Sequence, residues 1–322
     1  MVSAYEYSTK DYLRYLLLKS LPSFCIKPIV KLRTKKEINK ELNLDNPKTF
    51  TDKVNWLIRY NNNLLKTKLT DKLEAKKYVN KLVPELSTAK VFDIADSFDE
   101  LDFEKCPDTF ILKTNHAWKT NILIPDKNKL TQADKKALGK YYKRVLKINF
   151  AYWFSFELQY KDITPKIYAE EFFTQDIEKV KNEKFSIQKA FTGFDILPDL
   201  EFGVYCLNGK PEFITASYMD TSNPTDIHSC FKTYYPDKSI ADFSLFPKVT
   251  EKIPPPTGIL DFFDKILEYA KILAGNSKFV RVDFIVENNN LHFMELTFSP
   301  FSGLIQISSP EYDILLGKKL QI

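Results

Sequence analysis

The sequence has 322 residues, of which 44% are hydrophobic and 14% aromatic, and this composition excludes an intrinsically disordered chain. The four cysteines are scattered without a CxxC pair, and the three histidines are too far apart to form a local zinc motif. We therefore expect reduced thiols in a cytoplasmic protein with one large lobe or two to three small lobes.

The net charge of +5 is concentrated at the N-terminus. Residues 1–40 contain nine Lys or Arg and three Asp or Glu, whereas the rest of the chain contains 38 and 39. The segment Tyr12–Lys36 mixes these bases with apolar residues, so it could contact anionic lipid or a polyanionic substrate, or pack on the body as a solvated helix. Lys19, Pro22 and Lys27 interrupt it, so it cannot span a bilayer. No basic aromatic module is present, which argues against nucleic-acid binding.

Helices and hairpins alternate along the rest of the chain, as the periodicity of apolar residues and the positions of turn residues predict. In chain order they begin with helices within 46–63 and 66–83, a strand and an acidic turn within 88–103, a hairpin within 109–126, and a helix within 126–147 capped by Thr131. There follow a buried strand within 165–173, a hairpin within 201–220 turning on Asn208-Gly209, a connector at 254–258, a helix within 259–274 and a hairpin within 279–300. This pattern predicts an α+β protein with largely antiparallel sheets.

The last hairpin carries two acids, Asp283 in FVRVDFIV and Glu295 in LHFMELTF. A turn centred on Asn288–Asn289 places position 283 opposite 294 and diagonal to Glu295, within one residue of register. Two unpaired carboxylates there would be costly to bury, and a Mg²⁺ ion would remove that cost. Alternatively, Arg281 on the same face neutralises one acid, and no metal binds.

A lysine and a polar loop precede a pair of acids in the middle of the chain. Lys113 ends an apolar strand, where it can either reach a phosphate as a point charge or lie in water. The loop Thr114–Asn121 offers side-chain donors but no glycine; the donors are Thr114, Asn115, His116, Lys119 and Asn121. Glu170 and Glu171 end a buried strand and could flank an adenine ring, which the backbone of Phe172–Phe173 would then hydrogen-bond.

Seven blocks, taken in order, carry a family resemblance: NPKTFTDKVNWLIRY, TKLTDKLEAKKYV, DSFDELDF, FILKTNHAWKTNILI, YKDITPKIYAEEFF, FVRVDF and MELTFSPFSGL. Together they resemble the TupA-like branch of the ATP-grasp superfamily, which is associated with bacterial surface-polysaccharide synthesis. The resemblance implies an α+β ATP-grasp fold, with two lobes of antiparallel sheets that enclose a nucleotide cleft. It also implies a basic helical arm over 1–45, a pre-grasp region over 46–105, a small lobe over 106–172 and a large lobe with the metal site over 173–322.

The same resemblance implies ATP and Mg²⁺ as cofactors, and it assigns roles to individual positions. Lys113 and Arg281 are the implied catalytic residues, next to the transferred phosphate. The implied nucleotide-binding residues are Lys72, Lys113, Asn115, His116, Lys119, Asn121, Glu170, Glu171, Phe172 and Phe173. The implied metal ligands are Asp283, Glu295 and Thr297, where the wider superfamily often has an asparagine in place of the threonine.

Three positions depart from the pattern of the family. The loop reads AWKTN where the family is usually rich in glycine, so backbone amides approach phosphate oxygens less easily. Glu201 stands where the family usually has a lysine, and an acid there would repel phosphate. Phe301 replaces a glycine in the loop SPFSG.

The sequence thus favours a ligase that joins an amine, such as an amino acid or amino sugar, to a carboxylate through an acyl phosphate. A uronic acid of a capsule or lipopolysaccharide precursor would be a suitable carboxylate. The alternatives are a glycosyltransferase that uses a nucleotide-sugar and a binding module without catalysis. The expected partner is a small molecule or saccharide in the cytoplasm, with the basic arm able to touch the inner membrane face.

Overall fold

The computed structural model describes residues 3–174, 177–194, 200–220, 228–245 and 258–322. Its helices are α1 (Thr9–Ser20), α2 (Ile26–Ile38), α3 (Phe50–Tyr60), α4 (Leu64–Thr70), α5 (Lys72–Leu82), α6 (Gln132–Val145), α7 (Ile177–Asn182), α8 (Ile187–Thr192), α9 (Phe263–Ala274) and α10 (Pro310–Lys319). Its strands are β1 (Ser87–Thr88), β2 (Val91–Ala95), β3 (Phe110–Thr114), β4 (Ile122–Ile124), β5 (Ile167–Glu170), β6 (Leu200–Leu207), β7 (Lys210–Asp220), β8 (His228–Tyr234), β9 (Phe279–Glu287) and β10 (Asn290–Thr297).

The strands form two sheets. The larger sheet has the order β1-β10-β9-β6-β7-β8, and the smaller has the order β2-β5-β3-β4. Every named pairing is antiparallel except that of β1 with β10, so the predicted α+β class with largely antiparallel sheets is confirmed. The predicted lobe boundaries stay predictions: β2, α7 and α8 belong with the smaller sheet, although they lie outside the span 106–172.

The prediction of a single helix over 66–83 is wrong, because this segment contains the end of α4 and the whole of α5. Asp71 has extended backbone angles (φ −66°, ψ 116°) and separates α4 from α5. Its carboxylate accepts the backbone N–H groups of Leu73 and Glu74 at 2.9 and 3.3 Å, which is the arrangement of a helix N-cap. α5 ends at Leu82, ahead of Pro84, as the sequence indicates.

The two faces of the larger sheet have different partners. On β6, Phe202 and Val204 pack with α5 and α9 in a core that includes Val79 and Phe263. Successive side chains of a strand point to opposite sides, so Gly203 and its neighbours on the odd-numbered positions face the other way. That second face is covered at one end by α3 and α10 and is open at the other.

Most of the remaining predicted elements are confirmed. Thr131 caps α6, the hairpin β6–β7 turns at Asn208-Gly209, and β3 pairs with β4. The helix predicted at 259–274 starts as a 3-10 turn, Ile259–Phe262, before α9. The connector proposed at 254–258 lies outside the described residues except for Gly258.

The N-terminal arm consists of α1, the 3-10 turn Ser23–Cys25 and α2. Ser8 and Asp11 form a capping box at the start of α1. Leu18 of α1 and Val30 of α2 pack with Leu42, Leu44 and Phe156 of the body. Among the described residues, no helix has both the length and the apolar content needed to cross a membrane.

Candidate active site

Asp283 and Glu295 lie directly opposite each other on β9 and β10. The turn at Asn288–Asn289 is as predicted, with both residues in the left-handed region (φ 48° and 63°). The predicted register, with position 283 opposite 294, is off by one residue because Met294 is an extra residue that interrupts the pairing between 293 and 295. The bulge therefore turns a diagonal pair of acids into a facing pair.

Arg281 neutralises one member of this pair. Its Nε and a terminal nitrogen donate to the two oxygens of Asp283 at 2.6 and 2.8 Å. Burial would lower the pKa of Arg281, but the Asp283 carboxylate outweighs it and raises that pKa above the usual range. Gly203 makes room for the pair, since a Cβ there would lie 3.0 Å from Arg281 Cδ and 3.2 Å from Asp283 Oδ1.

Two aromatic rings flank the Arg281 guanidinium. Its carbon lies 5.9 Å from the ring centroids of both Tyr205 and Phe301. Phe301 and Ser302 have positive φ values of 52° and 54°, in the region that glycine adopts most easily. The phenylalanine that replaces a family glycine thus keeps the backbone shape expected of glycine and adds a ring over the arginine.

Thr297 joins the two acids. Its hydroxyl lies 2.8 Å from Asp283 Oδ2 and 3.0 Å from Glu295 Oε1. Two carboxylates and a hydroxyl on one face are oxygen donors of the kind that Mg²⁺ accepts when phosphate oxygens and water complete its shell. The described residues include no group of three His, Cys, Asp or Glu side chains that could hold a metal by themselves. These three oxygen-bearing side chains therefore fit a cation that also binds a phosphate. Arg281 pairs with Asp283, as the alternative without a metal predicts for that residue.

The start of α5, a helix that packs on the larger sheet, brings a lysine close to Glu295. Lys72 Nζ lies 4.0 Å from Glu295 Oε2 and donates to the carbonyl of Ala117 at 2.6 Å. Burial lowers the pKa of Lys72 despite the nearby Glu295. Burial would in turn raise the pKa of Glu295, but Lys72 and then Arg281 outweigh it and hold that pKa below its usual value.

One turn further along α5, Lys76 joins a buried group of charges. Glu170 of β5 is only 2% exposed; its Oε2 lies 3.0 Å from Lys76 Nζ, and its other oxygen pairs with Lys113 of β3. Burial would raise the pKa of Glu170, but Lys113 and Lys76 outweigh it and lower that pKa. Sequence reasoning placed Glu170 at an adenine ring and missed Lys76, although the spacing of four from Lys72 puts both lysines on one side of a helix.

Four consecutive backbone carbonyl groups of the glycine-free loop accept hydrogen bonds from other parts of the chain. Three of the donors come from distant segments. In order, Lys72 Nζ donates to Ala117 (2.6 Å), the Tyr7 hydroxyl to Trp118 (3.1 Å), the Tyr5 N–H to Lys119 (2.8 Å) and the Tyr142 hydroxyl to Thr120 (3.0 Å). Lys119 itself is exposed and has a left-handed backbone (φ 53°). The loop expected to close over phosphate is therefore tied to the smaller lobe by contacts that no local motif indicates.

The polar side chains of this loop differ in their surroundings. The Asn115 amide donates to Asp71 at 2.7 Å and to the Thr164 carbonyl at 3.0 Å, so it links the loop to the start of α5. His116 is 2% exposed and meets the Phe150 ring edge to face. Burial and then Lys72 lower the pKa of His116 to about 4, so the ring is neutral near pH 7 and offers no charge to a phosphate. Asn121 is half-buried.

The predicted hinge connects the two sheets. The Glu171 N–H donates to the Lys90 carbonyl at 2.8 Å, which continues the pairing of β5 beside β2. Phe172 packs on the core of the smaller lobe, whereas the Phe173 ring lies 4.2 Å from the ring of His292 on β10. Glu171–Phe173 thus contacts both lobes at the position where the resemblance places the adenine hinge, and the chain then returns to the smaller lobe in α7 and α8.

A cavity of about 460 Å³ lies against the acid pair. Its polar lining includes Glu201, Thr215 and Ser217 together with Arg281, Asp283 and Glu295. Burial, followed by the Asp283 carboxylate, raises the pKa of Glu201 to about 7. Asp283 pairs with Arg281 and Glu295 lies 4.0 Å from Lys72, so Glu201, about half ionised near pH 7, is the acid of this cavity that can receive a polar or cationic group.

The fold and the cleft define a protein of the ATP-grasp class. A sequence model described as TupA-like ATPgrasp matches residues 52–321, which is most of the chain. This chain belongs to the TupA-like ATP-grasp family. No curated protein is significantly similar to it in sequence.

Solved structures include similar proteins at low identity. D-alanine–D-alanine ligase from Bacillus anthracis is 13% identical, with 74% of this chain and 59% of that chain covered and a TM-score of 0.41. L-amino acid ligase from Bacillus licheniformis is 11% identical, with 79% and 48% covered and a TM-score of 0.40. The chain spans about half to three fifths of the length of these proteins.

Replacing Glu170 with Gln should lower the free energy of unfolding by about 3–5 kcal/mol, because it leaves Lys76 and Lys113 buried without their shared counterion. Lys76→Met should cost less, since Lys113 and Glu170 remain paired. Urea denaturation at pH 7 measures both, with the exposed Glu178→Gln as a control expected within about 0.5 kcal/mol of wild type. Equal costs for Glu170→Gln and Lys76→Met would contradict the shared-counterion account.

The low pKa of His116 should make the protein sensitive to acid. The native ring binds a proton only near pH 4 and the unfolded ring near 6.5, so the unfolded chain binds more protons between these values. Between pH 6.5 and pH 5 this residue should lower the free energy of unfolding of the wild type by about 1.6 kcal/mol. His116→Gln should lack this contribution. Urea denaturation across this pH range tests the difference, and parallel curves for the two proteins would show that the native ring is accessible to protons.

Proposed function

We propose that this protein is an ATP- and Mg²⁺-dependent ligase that joins an amine to a carboxylate. Family membership supports the class of reaction, and one observation supports its location. Asp283, Glu295 and Thr297 on the larger sheet face Lys72 at the start of α5, and Lys113 lies near this helix on the smaller sheet. Oxygen donors for a cation and basic groups for phosphate thus meet in one cleft.

The side chains of this cleft would act by position and charge. Asp283, Glu295 and Thr297 would hold Mg²⁺, and Lys72 and Lys113 would bind phosphate oxygens. ATP bound there would supply the phosphoryl group that converts a substrate carboxylate into an acyl phosphate, from which an amine then displaces phosphate. Arg281 stays charged beside Asp283 and would stabilise negative charge that develops on the transferred group.

The cavity beside the acids supports an amine as the second substrate. An amino acid or amino sugar carries a cationic group before it reacts, and the carboxyl group of Glu201, which lines the cavity beside the acid pair, would accept it. Glu201 replaces a family lysine on this account because it contacts the amine rather than the nucleotide. We propose a uronic acid of a surface-polysaccharide precursor as the carboxylate, because the family is associated with surface-polysaccharide synthesis.

A second candidate is a nucleotide-binding module without catalysis. The observation that favours it is the loop Thr114–Asn121, which lacks glycine and whose carbonyls at 117–120 are all engaged by other segments. With the loop fixed in this way, phosphate would be bound by Lys72 of α5 and Lys113 of β3 rather than by the loop amides.

Purified protein with ATP, Mg²⁺ and panels of uronic acids and amino acids should release ADP and phosphate only when both substrates are present. Asp283→Asn and Glu295→Gln should each lower this rate by about 100-fold or more, because the cation loses a ligand in the transition state. Glu178→Gln on the surface should retain full activity.

Activity that persists in both acid variants would refute the metal assignment. Binding of a UDP-sugar without any binding of ATP would refute the ligase and leave a glycosyltransferase. Binding of ATP without turnover on any substrate pair would favour the binding module.

A further inference from the structure

The outer side of the N-terminal arm exposes an unusual amount of apolar surface. Among the described residues, 17 large hydrophobic side chains are exposed, and five of them lie between residues 13 and 32. These five are Leu13, Leu16, Leu17, Phe24 and Leu32, with exposed fractions of 61%, 43%, 61%, 77% and 72%. Clustered exposed hydrophobic residues mark an interaction surface, whereas single ones do not.

The spacing of these residues sets them apart from those that anchor the arm. On α1, Tyr15 and Leu18 are buried against the body, while the leucines at 13, 16 and 17 lie on the solvent side. Phe24 is exposed on the 3-10 turn before α2, and on α2 itself Pro28 and Leu32 are exposed four residues apart, while Val30 and Thr34 are buried. Both helices are therefore anchored on one side and carry apolar residues on the other.

Basic residues outnumber acidic ones in the arm that carries this apolar surface. The first 40 residues carry nine Lys or Arg against three Asp or Glu. Three lysines of the arm region pair with acids: Lys27 with Asp45, Lys35 with Glu41, and Lys40 with Asp313. Lys10, Lys31 and Lys36 are in none of the ion pairs found among the described residues, so positive charge remains available to a partner.

We propose that the N-terminal arm binds the surface of a membrane that contains anionic phospholipid. Leu13, Leu16, Leu17 and Phe24 would enter the boundary between headgroups and acyl chains, with the lysines at the lipid phosphates. Neither helix is long and apolar enough to cross the bilayer, so the arm lies on it. The ligase would then act next to a membrane, a role that the cleft itself does not require.

The positive charge and the exposed apolar side chains of the arm together favour an anionic lipid bilayer over other partners. A hydrated anionic polysaccharide would use the lysines but would leave the leucines and the phenylalanine exposed to water. A second copy of this chain would cover the apolar side chains but would bring two surfaces of the same positive charge together. Only an anionic bilayer offers both an apolar interior and negative charge.

The test is sedimentation of the full chain with lipid vesicles, without nucleotide, so that its outcome is independent of the ligase activity. Vesicles that contain phosphatidylglycerol should bind the protein, vesicles of phosphatidylcholine alone should not, and added salt should weaken the binding. The double variant Leu17→Gln, Phe24→Gln should lose most of it. Lys31→Gln and Lys36→Gln should each weaken it roughly fivefold, since a lysine near the surface contributes about 1 kcal/mol.

A matched control is available on α4. Leu64 and Leu65 are 86% and 57% exposed and lie outside the arm, so Leu64→Gln, Leu65→Gln should bind vesicles as the wild type does. The melting temperatures of all variants show whether they fold. Equal loss of binding in the control and arm variants would overturn the proposal. Binding of dextran sulfate without binding of vesicles would also overturn it and indicate a polyanionic saccharide. So would a wild-type dimer that becomes a monomer in the arm variants, which would indicate a second copy of the chain.

Discussion

Asp71 uses its two carboxylate oxygens for two different segments. Oδ1 accepts the first N–H groups of α5, and Oδ2 accepts the amide of Asn115 in the loop after β3. The carboxylate therefore fixes both the direction in which α5 starts and the place where the loop lies. Because Lys72 and Lys76 are on the first two turns of α5, the positions of both lysines in the cleft follow from this one contact.

The cleft balances its charges in pairs. Arg281 faces Asp283, Lys72 faces Glu295, and Glu170 lies between Lys76 and Lys113. Asp283 and Glu170 are largely removed from water, with 14% and 3% of their side chains exposed, so the positions of Arg281, Lys76 and Lys113 are set before any ligand arrives, whereas Glu295 is 41% exposed. Such preorganised charge is what phosphoryl transfer requires, since the protein contributes mainly position and electrostatic stabilisation.

Much of this arrangement could be predicted from local patterns. The hairpins, the capped helix α6 and the two acids on adjacent strands follow from periodicity and turn residues, and the order of the blocks identified the family. The errors and omissions have both local and long-range causes. The Met294 bulge depends on the pairing of β9 with β10, and the break at Asp71 depends on competition between a cap and a continuous helix. The contacts of Tyr5 and Tyr7 with the loop join residues more than 100 positions apart, so no local pattern indicates them.

The cleft should bind a nucleotide although the loop Thr114–Asn121 has no glycine. The most direct test is the melting temperature of the protein with and without ATP and Mg²⁺. Ligand at about 100 times its Kd should stabilise the native state by about 2.7 kcal/mol, so the melting temperature should rise in the wild type and much less in Lys113→Met. No rise at millimolar ATP, or the same rise in both proteins, would contradict the account.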